Sequence, residues 1–72
     1  MPHYIVNNNA QDNGDHEVHD KSAGCLHMPT IENQIDLGFH FLCNGAVIEA
    51  KKKLSGQRVN GCYYCCKPCH TR

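Results

Sequence analysis

The C-terminal segment of this chain contains most of its cysteines, and it limits the possible folds more than any other feature. Residues 60–70 read NGCYYCCKPCH, so four of the six cysteines fall within eight positions. They form two tandem Cys-x-x-Cys pairs, Cys62/Cys65 and Cys66/Cys69. Two intervening residues let the backbone turn so that both thiolates of a pair point at one ion, and each pair can supply half of a tetrahedral zinc site. The other two ligands must come from an earlier segment, to which the site would tie the C-terminus.

The length of 72 residues predicts a single small domain, 1–72, that needs a cross-link or a metal to be stable. A domain of this size buries only about 60% of the surface of its unfolded chain. The N-terminal residues show no signal-peptide pattern, and no run approaches the ~20 apolar residues of a membrane span. We therefore expect a cytoplasmic protein, and in a reducing compartment clustered cysteines more often bind metal than form disulfides.

Three strands are predicted in the first two thirds of the chain. β-Prone residues at 3–8 and 16–19 flank the turn-forming Asn13-Gly14, which favours a hairpin. A third strand is predicted at 35–42, where four apolar residues alternate onto one face: Ile35, Leu37, Phe39 and Phe41.

One helix is predicted at 45–54, with Asn44 as its N-cap. Val47, Ala50 and Leu54 would share its apolar face. The predicted fold is therefore a small α+β domain: a short β-meander or hairpin and one helix, stabilised by a C-terminal Cys-rich zinc knuckle.

Several short motifs spread from Tyr4 to Cys65 resemble one known module. They are Tyr4-Ile5-x-Asn7, Val18-His19 followed by Cys25, Asn33 and Phe39, Ala46-Val47 with Ala50, and Gly61-Cys62-x-x-Cys65. The pattern is similar to the zinc-binding module of the Ada DNA-repair protein, and more so to the Ada-like domains appended to some bacterial nucleases. The spacing between His19 and Cys25 is longer here, and Cys66, Cys69 and His70 extend past the end of the family pattern.

The resemblance implies one structural zinc ion with four ligands: His19, Cys25, Cys62 and Cys65. Cys25 is also favoured by its own position, because it follows Gly24 in a polar loop where the backbone can turn a thiolate toward an ion. Cys66 and Cys69 are the alternates for the C-terminal pair. The alternates for His19 are His16 and His27.

Cys43, Tyr63 and Tyr64 are not predicted to bind the metal. Cys43 follows an apolar strand and precedes the helix, which predicts a small buried core residue. Tyr63 and Tyr64 lie between ligand positions, and either they cover the site from water or they pack in the core.

The charges are unevenly distributed although the net charge is zero. Residues 1–49 hold all seven acidic residues, whereas 50–72 hold six of the seven basic ones. The two halves can neutralise each other, or the basic half can form a face for nucleic acid. The candidate cations are Lys51, Lys52, Lys53, Arg58, Lys67 and Arg72. We expect a monomer that has no membrane partner.

The sequence predicts a structural zinc-binding module and no enzyme. It contains no His-Glu-x-x-His motif, no serine-centred elbow and no phosphate-binding glycine loop. The alternative is a thiol-reactive or metal-carrier protein that uses the tandem Cys-x-x-Cys pairs. Cys66-Lys67-Pro68-Cys69 has the form of a thioredoxin-like motif, but too few residues follow it to make the helix that lowers the pKa of such a cysteine.

Overall fold

A four-stranded mixed sheet and one α-helix make up the fold, and they confirm the predicted α+β class. The computed structural model describes residues 1–71. The strands are β1 (His3–Asn7), β2 (Asp15–Asp20), β3 (Gln34–Phe39) and β4 (Arg58–Gly61), and the helix α1 is Cys43–Lys53. Short 3-10 helices occur at Lys21–Ala23, Ile31–Asn33 and Lys67–Cys69.

The strand order, β3-β1-β2-β4, places the C-terminal segment beside β2. β1 pairs with β2 and with β3 in antiparallel fashion, whereas β4 runs parallel to β2. In this register Gly61 lies opposite Val18, and the Cys62 N–H donates to the Val18 carbonyl at 2.9 Å. The parallel pairing therefore delivers the start of the cysteine cluster next to His19. β4 is an additional strand that was not predicted from the sequence.

The core is small and contains several sulfur atoms. It draws residues from β1, β2, β3, the helix and the C-terminal segment: Tyr4, Val6, Val18, Leu37, Cys43, Ala46, Ala50, Cys62 and Cys66. The helix contributes mainly Ala46 and Ala50, whose side chains are fully buried. Few large apolar side chains are buried, which agrees with the expectation that the fold needs additional cross-links.

β3 ends at Phe39, three residues earlier than predicted, and a bulge breaks its alternation. Tyr4 pairs with Gly38 but Ile5 pairs with Asp36, so Leu37 is an extra residue opposite the step between Tyr4 and Ile5. An extra residue moves every later side chain to the opposite face. Phe39 is consequently 60% exposed whereas Leu37 is buried, and the prediction that they share a face is wrong. Phe41, which was predicted on the same face, lies beyond the end of β3 and is 81% exposed.

The helix begins at Cys43, two residues before its predicted start. Leu42 occupies the N-cap position with extended backbone and makes no side-chain cap, so the assignment of Asn44 as N-cap is wrong. Cys43, the first residue of the helix, is buried in the core and bonded to Cys69. Three lysines occupy the last turn, where the helix dipole favours cations.

The residues after the cysteine cluster fold back onto β4. Asn60 Oδ1 accepts hydrogen bonds from the backbone N–H groups of Gly61 and Thr71, each at 2.9 Å. The His70 ring lies 2.9 Å from the Gly61 carbonyl through Nδ1. A Cβ at Gly61 would lie 2.7 Å from Cys69 Cβ and 2.8 Å from the Cys66 carbonyl oxygen. Only glycine therefore allows this close approach of β4 and the C-terminal segment.

Gly61→Ala should destabilise the protein more than an ordinary surface substitution does. The added methyl would meet the Cys66 carbonyl oxygen and the carbonyl carbon of Cys69. We therefore expect a loss of about 1–3 kcal/mol in unfolding free energy, measured by thermal or urea unfolding. Gly56→Ala is the control, because a methyl there meets nothing within 4 Å and only the positive φ of 82° is strained. An equal or smaller loss at Gly61 than at Gly56 would contradict the close packing.

Candidate metal centre

Four side chains from three separate segments converge beside β2. His19 lies in β2, Cys25 follows the 3-10 helix Lys21–Ala23, and Cys62 and Cys65 follow β4. One ligand atom from each of the four lies within 4.8 Å of the others. The structure thus brings together the four side chains that the sequence analysis named as zinc ligands.

Two distances within this group correspond to the edges of a zinc tetrahedron. The Sγ atoms of Cys25 and Cys62 lie 3.9 Å apart, and Cys65 Sγ lies 3.6 Å from His19 Nδ1. With Zn–S of about 2.3 Å and Zn–N of about 2.0–2.1 Å, tetrahedral geometry separates two sulfurs by about 3.8 Å and a sulfur from a nitrogen by about 3.5–3.6 Å. The sulfur separation is also far longer than the about 2.05 Å of a disulfide bond.

Local backbone features place each cysteine. Asp20 caps the 3-10 helix by accepting from the Ser22 N–H at 2.9 Å, and Gly24 then takes a left-handed conformation with φ 69° that turns Cys25 inward. After β4, the Cys66 N–H donates to the Cys62 carbonyl at 2.8 Å. This bond closes the turn that brings Cys62 and Cys65 to the same side.

Backbone N–H groups point at the sulfur atoms of the site. The Asp20 N–H donates to Cys65 Sγ at 3.3 Å, and the His27 N–H donates to Cys25 Sγ at 3.4 Å. Backbone N–H groups of Cys65 and Tyr64 act in the same way on Cys62. Such donors favour the charged thiolate, which is the form that binds metal.

Burial and, for Cys65, a neighbouring thiol favour the uncharged forms of these groups when no cation is bound. It raises the pKa of the Cys62 thiol to about 12. Contact with the Cys66 thiol, followed by burial, raises the pKa of Cys65. Burial also lowers the pKa of His19 to about 4, with a smaller contribution from His27, so the imidazole is neutral at pH 7 and retains a lone pair for a metal.

The two nitrogens of His19 face different groups. Nδ1 faces Cys65, whereas Nε2 lies 3.8 Å from Glu17 Oε1. A carboxylate that hydrogen-bonds the far nitrogen of a metal-binding histidine commonly fixes the ring orientation and its tautomer. Glu17 Oε1 lies beyond hydrogen-bond distance of Nε2, so it is a neighbour of the ring and does not fix it.

The alternate ligands lie outside this group. Cys69 is bonded to Cys43, so its sulfur is not free to bind an ion, and the buried Cys66 packs in the core. His16 contacts the Asn7 carbonyl through Nδ1 at 2.9 Å, and the His27 ring stacks on Tyr64. The two Cys-x-x-Cys pairs therefore differ in their contacts. Cys62 and Cys65 belong to the four-residue group, whereas Cys66 packs in the core and Cys69 forms a disulfide.

The disulfide corrects the interpretation of Cys43. Cys43 is buried as predicted, at 6% exposure, but it is half of a cross-link and not an isolated core thiol. Cys43 and Cys69 have a sequence separation of 26, which is too large for a local pattern to indicate this pairing. Clustered cysteines were expected to bind metal more often than to form disulfides, and Cys69 of the cluster departs from that tendency.

Neither Tyr63 nor Tyr64 packs in the core. Tyr63 and Tyr64 are 48% and 68% exposed. The Tyr64 ring stacks on His27, two residues after Cys25, at a centroid distance of 4.1 Å. Tyr64 thus covers the junction between the two cysteine-bearing loops from outside.

Several of the candidate cations already have partners. Arg58 Nε lies 3.0 Å from the buried Asp15 carboxylate, and Lys53 pairs with Glu49 at 3.9 Å. Arg72 lies outside the described residues. The two oppositely charged halves of the chain therefore neutralise each other in part, and the nucleic-acid contact through this set stays a prediction.

Within residues 1–71, no helix is both long and apolar enough to cross a membrane. Comparisons with family models, with curated proteins and with solved structures found no match to this chain. The resemblance to the Ada-like module therefore stays a prediction that rests on the quoted motifs.

Proposed function

We propose that His19, Cys25, Cys62 and Cys65 bind one zinc ion, and that the ion maintains the fold. The observation that carries this proposal is the agreement of the Cys25–Cys62 and Cys65–His19 distances, 3.9 Å and 3.6 Å, with the edges of a zinc tetrahedron. The N–H donors at each sulfur support it, because they stabilise the thiolates that the ion requires.

The donor set favours a structural role over catalysis. Three thiolates and one imidazole fill all four positions of a tetrahedral ion, and a catalytic zinc keeps one position open for water or substrate. His19 and Cys62 are each only 1% exposed, so solvent would reach the ion poorly. The protein then acts through the surface that the ion maintains.

The ion would join segments that lie far apart in the sequence. Cys25 and Cys62 are 37 residues apart, and His19 and Cys65 are 46 residues apart. Zinc binding contributes about 10–16 kcal/mol of apparent folding free energy in zinc-finger peptides at pH 7. A core of this size supplies at most about 3–5 kcal/mol, so the ion would dominate the stability of the domain.

Metal analysis of protein purified without added metal tests the proposal. We expect one zinc per chain by mass spectrometry of the elements, and four reactive thiols after denaturation with chelator but without reductant. Chelation should abolish the dispersed NMR spectrum, and re-addition of zinc should restore it. A metal-free protein with a dispersed spectrum and all four thiols reduced would contradict the proposal.

Thiol–disulfide chemistry is the second candidate function. The observation that favours it is the Cys43–Cys69 disulfide, whose Cys69 also belongs to the motif Cys66-Lys67-Pro68-Cys69 with a free thiol at Cys66. Equilibration with glutathione buffers separates the two roles. Structural disulfides have potentials below about −300 mV, whereas reactive ones are more easily reduced.

A further inference from the structure

One half of the Cys43–Cys69 disulfide lines a surface groove between α1 and the C-terminal segment. Cys69 contributes to this groove together with residues from both sides, among them Asn44, Val47, Lys51 and Pro68. The volume of the groove is about 310 Å³, near the lower limit of the cavities that hold small molecules. We call it the disulfide groove.

The two halves of the disulfide differ in their access to solvent. Cys43 is 6% exposed and packs in the core, whereas Cys69 is partly exposed and lines the groove. In thiol–disulfide exchange a thiolate attacks one of the two sulfurs, and access decides which one. A thiol that enters the groove therefore meets Cys69, and Cys43 is the sulfur that leaves.

A third cysteine, Cys66, lies in the same turn as Cys69. The Cys69 N–H donates to the Cys66 carbonyl at 2.9 Å, and a turn closed in this way brings its end Cα atoms within about 7 Å. Disulfides span Cα separations of about 4.4–6.8 Å. Cys66 is a free thiol, and the other free cysteines of residues 1–71 all belong to the four-ligand group. Cys69 is therefore placed to bond either Cys43 or Cys66.

The charge beside the disulfide groove is positive. Lys51 is exposed and lines the groove among apolar and neutral polar side chains. Two further lysines follow it in the last turn of α1, and Glu49 offsets one of them through its pair with Lys53. A small thiol that carries carboxylates is attracted to this charge, and one that carries an amine is repelled.

We propose that the disulfide groove binds a small anionic thiol, which exchanges with the disulfide at Cys69 Sγ. The proposal rests on thiol–disulfide chemistry, the second candidate function above, and it adds the substrate class and the sulfur that is attacked.

The exchange has two steps and needs no oxidant. In the first, the external thiol loses its proton to water, its sulfur bonds to Cys69 Sγ, and the Cys43–Cys69 bond breaks. The electron pair of that bond leaves with Cys43, which takes a proton from water. In the second step Cys66, having lost its proton to water, bonds to Cys69 Sγ, and the external thiol departs and is protonated. The disulfide has then moved from Cys43 to Cys66.

The first experiment maps the disulfide after zinc-loaded, oxidised protein has been exposed to a small amount of glutathione without air. The protein is denatured in acid, and N-ethylmaleimide blocks every free thiol. Trypsin then cuts after Lys51 and Arg58, which separates Cys43 from the C-terminal cysteines unless the Cys43–Cys69 bond joins the two peptides. We expect mass spectrometry to detect separate peptides, the C-terminal one with a Cys66–Cys69 bond.

Cys66→Ala tests the second step. The Cys66–Cys69 bond should be lost in this variant, and glutathione attached to Cys69 should take its place. Glutathione attached to Cys43 overturns the direction of attack. An unaltered protein that shows no Cys66–Cys69 bond overturns the role of Cys66.

The second experiment compares glutathione with cysteamine, a small thiol that carries an ammonium group. Lys51→Gln should slow the loss of the Cys43–Cys69 bond to glutathione by about two- to fivefold, the upper part of the range for an exposed charge pair. It should not slow the reaction with cysteamine. Lys53→Gln is the matched control, because Lys53 lies in the same helix, pairs with Glu49 and does not line the groove. An equal effect of Lys51→Gln on both thiols, or none, overturns the disulfide groove as a site for anionic thiols.

The outcomes separate this proposal from the functions proposed above. Reduction by thioredoxin but by neither small thiol overturns the disulfide groove and leaves thiol–disulfide exchange standing. A bond that resists every thiol at potentials above about −300 mV is structural, and both proposals then fail. The exchange uses none of the four proposed zinc ligands, so the zinc content should stay at one per chain. If the folded protein holds no zinc, the zinc proposal fails, and the same mapping still decides the exchange.

Discussion

Cys25→Ser and Cys62→Ser are each expected to abolish the folded state at neutral pH. Each replaces a thiolate ligand by a hydroxyl that binds zinc poorly, and the zinc-dependent share of the folding free energy, about 10–16 kcal/mol in zinc-finger peptides, is larger than the core can replace. The measurement is an NMR spectrum together with the zinc content of the purified variant. Both variants should lose spectral dispersion and metal.

Cys66→Ala is the matched control for these two variants. Cys66 belongs to the same cluster and is 1% exposed like Cys62, but its sulfur lies outside the four-ligand group. It should retain zinc and lose only about 1–3 kcal/mol from its packing. The ligand assignment fails if Cys66→Ala loses zinc while Cys25→Ser keeps it.

Removal of the disulfide should have the second largest effect. The Cys43–Cys69 bond closes a loop across a separation of 26 residues. The chain-entropy relation then gives a stabilisation of about 3.5 kcal/mol through restriction of the unfolded state. Cys43→Ala should therefore lower the unfolding free energy by about that amount, measured by urea unfolding with zinc present, and it should leave the zinc content at one per chain.

A double-mutant comparison controls this prediction. Because the bond needs both sulfurs, Cys43→Ala, Cys69→Ala and the double variant should have nearly equal stabilities, and reduction of the unaltered protein should approach the same value. The double variant also leaves no odd thiol that could pair wrongly. Loss of zinc in the double variant would show that the two cross-links are not independent.

Features set by short-range spacing were predictable from the sequence. Cys62 and Cys65 are separated by two residues, so one turn suffices to bring them together, and the flexible polar loop at Gly24 identified Cys25. The apolar face of the helix was predicted from the spacing of Val47, Ala50 and Leu54; the structure buries Ala50 completely and packs Val47 and Leu54 partly buried against the core. In each case the sequence signal lies within a few residues of the feature.

Features set by contacts between distant residues were not predictable. β4 is a four-residue segment whose strand conformation depends on parallel pairing with β2, and Arg58 reaches Asp15 across 43 residues. The Cys43–Cys69 disulfide likewise joins residues that are too far apart in the sequence for a local pattern to indicate it. The bulge at Leu37 is different, because it did leave a local signal: Gly38, with φ 78°, is an isolated glycine in an otherwise regular alternation, which is typical of a bulge.

The dependence of the fold on residues 58–71 has a consequence for cooperativity. That segment provides the strand that pairs with β2, two of the four proposed zinc ligands and the disulfide partner of Cys43. Because these connections lie within one short segment, detachment of the segment from β2 would disturb the sheet and the proposed metal centre together. Local opening of residues 58–71 should therefore cost nearly as much free energy as global unfolding, which amide hydrogen exchange would measure.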